Sequence, residues 1–152
     1  MIRPIHLVFA SLLSIPAFAC SSSDDPPPPP PAPLDPTFTN LLKTVMTDVN
    51  CGGPLCHTLT AGGFMLGPKD QLHAALVDQP ASGKDCKLPA DAGPGATAFI
   101  LVIPGDPDQS LLYQKLTGIQ SCGKKMPDTA KPLTADQIEL VHDWIADGAK
   151  ND

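Results

Sequence analysis

The chain has 152 residues, of which 42% are hydrophobic and only 5% aromatic, and its formal net charge is −6. That length allows one modest domain once flanking segments are set aside. The acidic balance, with Lys124-Lys125 as the only basic pair, argues against a nucleic-acid partner, because nothing basic is clustered enough to neutralise phosphates.

Residues 1–6 carry Arg3 and no acid, and residues 7–15 are an apolar run. The run is about nine residues long, far short of the roughly 20 that a spanning helix needs. Pro16-Ala17-Phe18-Ala19 then leads to Cys20. A charged start, a short apolar run and a small-residue cleavage zone predict a secretory signal over residues 1–19. Ala17-Phe18-Ala19-Cys20 resembles the lipobox of bacterial lipoproteins. The resemblance implies that Cys20 is lipidated and becomes the first residue of the mature chain, which would then stand in the periplasm or at the cell surface, anchored to a membrane. Ordinary cleavage after Ala19 is the alternative and leaves Cys20 as a spare thiol. No other segment is long and apolar enough to span a bilayer. Residues 20–35 are expected to form a tether. Six prolines run from Pro26 to Pro31, and polyproline buries nothing and extends by about 3 Å per residue. Five cysteines in an exported chain imply thiol chemistry under oxidising conditions.

The folded head is expected over residues 36–152. Asp35-Pro36 reads as an N-cap followed by proline in the first helical turn. Phe38, Leu41, Leu42, Val45, Met46 and Val49 follow at spacings of three and four, one apolar helix face that must stop near Asn50 because Gly52-Gly53-Pro54 follows. A second helix is predicted over residues 68–79, with Leu72, Ala75 and Leu76 on one face. Residues 98–103 (Ala-Phe-Ile-Leu-Val-Ile) are the only strongly β-like run. With no partner strand evident, a buried extended segment is its other reading. Asp106 and Pro107 open a third helix through Leu111, Leu112 and Leu116, ending at Gly118. Thr134-Ala135-Asp136-Gln137 is a capping box. It starts a last helix with Ile138, Val141, Trp144 and Ile145 in one stripe and Gly148 at its end. The expected class is therefore all-α, about four helices with long loops, a size at which staples or a large apolar cofactor commonly complete the core.

Chemistry concentrates in Cys51-Gly52-Gly53-Pro54-Leu55-Cys56-His57. Two thiols followed at once by an imidazole is the layout that attaches a haem covalently, although the common spacing between the cysteines is two residues and here it is four. His57 is the proximal iron-ligand candidate. Met126 is the distal candidate: it lies in a loop, is followed by Pro127, and precedes the last helix. Its thioether is soft and neutral, favours ferrous iron and raises the potential. His73 and His142 compete for the distal role, while Met46 and Met65 are better explained by packing. A zinc site built from Cys51, Cys56, His57 and a further ligand is another option, though thiolates are hard to keep in an oxidising compartment. No Gly-rich phosphate loop is present. Ser110, His142 and Asp143 form no recognisable nucleophile motif, and Asp106 and Asp108 read as turn residues.

These pieces occur in a distinctive order: the Cys51–His57 motif, Pro104-Gly105-Asp106-Pro107-Asp108-Gln109-Ser110-Leu111-Leu112, Met126-Pro127, and Trp144-Ile145-Ala146-Asp147-Gly148-Ala149. The combination resembles a monohaem class I c-type cytochrome domain of the kind found in secreted bacterial proteins. The resemblance implies a small cytochrome c-like bundle around one covalent haem c, with thioethers at Cys51 and Cys56, axial ligands His57 and Met126, and electron transfer to redox partner proteins rather than catalysis. Without haem, Cys51, Cys56, Cys86 and Cys122 allow three connectivities. Under the haem reading the remaining pair is Cys86 with Cys122. That pair closes a loop of about 37 residues, worth roughly 3–4 kcal/mol on the chain-entropy model, and ties the central loop to the segment before Met126. The alternative function is a haem-free, disulfide-stapled surface lipoprotein with Cys51 and Cys56 oxidised and a binding or structural role. Lys124 and Lys125 read as two solvated lysines or as a patch orienting an acidic partner.

Overall fold

The computed structural model describes residues 32–47, 51, 57, 66–89, 94–128 and 131–152, all within one unit, Ala32–Asp152. The expected signal, Cys20, the proline run, Val49, Asn50, Cys56 and Met65 lie outside the described residues. Among those that are described there are four α-helices and no strand, so the chain is helical as its periodicities indicate.

The first helix, α1, spans Phe38–Leu41. Its N-cap is Thr37 rather than Asp35, with the Thr37 hydroxyl accepting from the Asn40 amide at 3.1 Å. Asp35 contributes its carbonyl instead, which accepts from the Thr37 amide at 2.8 Å and the Asn40 side-chain amide at 3.1 Å. The carboxylate that serves this helix start comes from the other end of the chain: the Phe38 amide donates to Asp152 Oδ1 at 2.8 Å. No local pattern could report that partner. α1 runs on into π-helical geometry over Leu42–Thr47. Two threonines act on this stretch by bonding back to helix carbonyls, Thr44 Oγ1 to Asn40 O at 2.8 Å and Thr47 Oγ1 to Leu42 O at 3.0 Å.

The second helix, α2, is shorter than its pattern, Lys69–Leu76, and buries Leu72 and Leu76. It stops because the backbone is claimed elsewhere. Val77 turns extended and pairs with Val102, Asp78 takes a left-handed conformation at φ 56°, and Pro80 bridges Ile100. The Leu101 amide donates to Gln79 O at 2.8 Å and the Ala81 amide to Phe99 O at 2.7 Å. The β-like run therefore does find a partner, the chain leaving α2, but as isolated bridges rather than a strand. Pro80 has no N–H with which to extend a ladder.

Pro104 to Ser110 forms a tight turn around a buried hydroxyl. Ser110 is 0% exposed. Its Oγ accepts from the Ile103 amide at 2.8 Å and donates to Asp106 O at 2.7 Å. Asp106 caps this turn rather than the helix, accepting from the Gln109 amide at 3.1 Å. Gly105, at φ 82°, turns its amide to Ile145 O at 2.8 Å. The third helix, α3, then runs Leu111–Thr117 and ends in left-handed Gly118. The fourth, α4, spans Ala135–Ala146 with both bonds of the capping box formed between Thr134 and Gln137. It buries Leu140, Val141, Trp144 and Ile145, with Ile138 half-buried.

The principal core joins the two ends of the chain. Phe38 of α1 stacks on Trp144 of α4 with centroids 5.1 Å apart, and the two are 0% and 1% exposed. His73 of α2 packs edge-on to Phe38 at 5.1 Å. Leu41, Val45, Met46, Leu72, Leu76, Val102, Leu116, Leu140, Val141, Ile145 and Ala149 complete the cluster. A smaller cluster gathers Ala81, Leu111 and the disulfide-bonded Cys86 and Cys122. Truncation of Trp144 to Ala is expected to cost about 3–5 kcal/mol, the range for a fully buried aromatic, read from urea unfolding monitored by far-UV circular dichroism. Ser110→Ala is expected to cost about 1–3 kcal/mol in the same assay, because the partly buried Ile103 amide and the Asp106 carbonyl both lose their hydroxyl partner.

Candidate functional site

Cys51 bonds back to the π-helical stretch that ends at Thr47. Its amide donates to Met46 O at 3.0 Å, and its Sγ lies 3.8 Å from Val45 O. Single π-helical turns recur at functional positions in helices. Two further backbone bonds link described residues: the His57 amide donates to Cys51 O at 3.2 Å, and the Leu66 amide to His57 O at 2.9 Å. Cys51 and His57 are both half-buried. Cys56, the second thiol of the motif, lies outside the described residues.

Cys51 packs against the principal core, and so does Met126. The structure thus brings these two expected site residues to the margin of one apolar cluster, from positions far apart in sequence. Half-buried Leu42, Leu66, Leu112, Tyr113 and Leu133 lie against the same cluster.

The Met126 segment is held from several sides. The Met126 amide donates to Lys115 O at 2.9 Å, and the Met126–Pro127 peptide is cis. Lys115 Nζ donates to Cys122 O at 3.0 Å and Lys124 O at 3.1 Å. Burial pushes the Lys115 ammonium below its usual pKa, an effect that the Asp85 carboxylate partly offsets. Cys86 and Cys122 are joined in a disulfide, with Cα atoms 5.2 Å apart. Lys124 pairs with Asp128 at 2.8 Å on the surface. The hydrogen bond from Asp128 is the main reason its pKa lies above the ordinary lysine value.

The competing distal ligands are engaged elsewhere. His73 places Nε2 2.7 Å from Ala149 O while its ring packs on Phe38. His142 bonds Asp143 Oδ1 through Nδ1 at 2.9 Å and sits against the Tyr113 ring at 5.4 Å. Among the described residues no three His, Cys, Asp or Glu side chains converge on a metal-sized point; the zinc option needs Cys56, which is not among them. A cavity of about 240 Å³ lies beside Phe99, Ile100, Ile103, Gln114 and Ser121, and no expected ligand lines it. Lys115 and Ser110 escaped the sequence reading as functional or structural keys. Lys115 has the pattern of any solvated lysine near a helix end, and Ser110 looks like an ordinary turn serine until its burial is known.

No protein-family model matches the chain, and neither a curated protein nor a solved structure matches it.

Replacing both Cys86 and Cys122 with Ala is expected to lower unfolding stability by roughly 3–4 kcal/mol, the loop-closure value, measured by denaturant titration with and without reductant. Reductant should lower the stability of the natural chain and leave the double variant unchanged.

Proposed function

We propose that this chain binds one haem c covalently through Cys51 and Cys56, with His57 and Met126 as axial ligands, and serves as an exported, membrane-tethered one-electron carrier. The observation that carries the reading is that Cys51 and Met126 each pack against the same apolar cluster, with His57 linked back to Cys51 through its amide. When bound, haem c supplies an Fe(III)/Fe(II) couple whose potential follows from the axial ligands and from burial.

The donor set fits that group. Each thiol of Cys51 and Cys56 would add its S–H across a vinyl double bond, with no leaving group and no net electron transfer. His57, adjacent to Cys56, offers a neutral imidazole nitrogen, and Met126 offers a neutral thioether. With His57 and Met126 both holding the iron, no ligand position would remain for a substrate, so the group would serve to carry electrons rather than to catalyse bond changes. The half-buried apolar side chains along the margin would exclude water from the macrocycle, and the rest of the core is already packed without it. Lipid at Cys20 and the proline run would hold this head off a membrane, facing soluble or membrane-bound redox proteins.

The second reading is a haem-free surface lipoprotein with Cys51 and Cys56 oxidised. One observation favours it: the centre of the core is filled by Phe38, Leu41, Leu72, Leu76 and Trp144, each at most 1% exposed, and needs no cofactor to close.

Expression with haem-attachment machinery, followed by a denaturing gel stained for haem peroxidase activity, separates the two. A stained band at the mass of the mature chain is expected, and a colourless band sinks the haem reading. Met126→Ala should remove the far-red Met–Fe(III) charge-transfer band, whereas His73→Ala and His142→Ala should retain it.

A further inference from the structure

We infer that Lys115 is the positioning residue of the distal-ligand segment: it latches residues 122–126 to the end of α3 and so sets where the Met126 thioether can reach. The inference rests on the haem reading above.

The geometry builds from the helix end. α3 spans Leu111–Thr117 and closes at Gly118, whose amide returns to Gln114 O at 2.9 Å, as does the Ile119 amide at 3.0 Å. A helix leaves its last carbonyls without intrahelical partners. The Lys115 carbonyl is one of these, and the Met126 amide takes it at 2.9 Å. The side chain of the same residue then reaches two further points on the segment, the carbonyls of Cys122 and Lys124 at 3.0 and 3.1 Å. An ammonium has three N–H donors on one atom, so a single lysine can gather two carbonyls that face the same point. One residue thus grips the segment three times, once by backbone and twice by side chain, immediately before the ligand.

Gly123 shows how close the grip is. Its φ is 62°, and a Cβ placed there would lie 2.7 Å from Lys115 Nζ and 3.2 Å from Cys86 Sγ. A side chain at that point would be strained by the left-handed backbone and would have to displace the Lys115 ammonium. The disulfide restrains the chain only at Cys122, four positions before Met126, so it cannot by itself define the approach of the ligand. Lys115 acts across the whole interval. The neighbouring Lys124 points its own ammonium away, to Asp128 at the surface, and Lys125 lays its stem within 3.0 Å of where a Gly118 Cβ would stand, so neither duplicates the latch.

The test uses the full chain, Lys115→Met, and the exposed-loop control Lys84→Met. Amide hydrogen exchange at Met126 reads the latch directly: K115M should lose protection there by about tenfold or more relative to the buried amides of α4, while K84M should not. In the ferric holoprotein, added imidazole reads how firmly the methionine is held. K115M should bind imidazole about tenfold more tightly than the natural chain and show a weakened far-red Met–Fe(III) band, with the covalent haem stain unchanged. If K115M does not fold, Lys115→Gln, which keeps a side-chain N–H donor, carries the same readouts with a smaller change. A haem-stained K115M or K115Q with unaltered Met126 exchange and imidazole affinity overturns the latch and leaves the functional reading standing. Absence of covalent haem in the natural chain overturns the functional reading, and the ligand-positioning role falls with it.

Discussion

The stack of Phe38 on Trp144 is the contact on which the rest of the fold depends. It joins the first helix to the last, and each neighbour of the pair brings a different part of the chain with it. His73 packs its edge on Phe38 and holds α2 there. The Trp144 indole N–H donates to Lys150 O at 2.9 Å, which folds the chain back after α4 and lets Asp152 reach the amides of Phe38 and Thr39. An aromatic pair combines a large buried area with a preferred geometry. A domain with few aromatic residues can therefore organise its ends around this one contact. The Cys51 amide bonds back to Met46 O of the π-helical stretch that continues α1, so the stack also bears on where Cys51 sits.

A second centre holds the other half of the domain. The turn from Pro104 to Ser110 is internally bonded around a serine hydroxyl and attached to α4 through the Gly105 amide. It fixes the start of α3. The end of α3 receives the Met126 amide, and the disulfide pins the segment before it. The two centres meet at the principal cluster, where Cys51 and Met126 both pack. A ligand loop that must present one sulfur atom benefits from restraint before the ligand arrives, since fewer conformations are then lost on coordination.

The proposed carrier role differs from the simplest expectation in one respect. A loop-rich chain of this size suggests a haem at the centre of its core, but the centre is protein. Among the described residues, Cys51, Met126 and several half-buried leucines pack against that core. Under the proposed role, folding would be separate from cofactor binding, since the aromatic stack and the disulfide stabilise the head with or without a bound group.

Local features were legible in the residues themselves. The capping box at Thr134 and Gln137, the glycine stop at Gly118 and the apolar stripe of α4 all depend on neighbours within one or two helical turns, and each formed as its pattern indicates. The Cys51–His57 motif and the Met126-Pro127 pair were equally visible, because they are short strings with chemical meaning. Tertiary structure alone decided the rest. At the start of α1 Thr37 caps locally, while the carboxylate on the Phe38 amide comes from Asp152 at the far end of the chain rather than from Asp35. α2 stops early because the chain at 78–81 bonds to the run at 99–102, and Lys115 matters only because residues 122–126 fold back over it. These outcomes turn on hydrogen-bond partners distant in sequence, and periodicity and spacing carry no record of them.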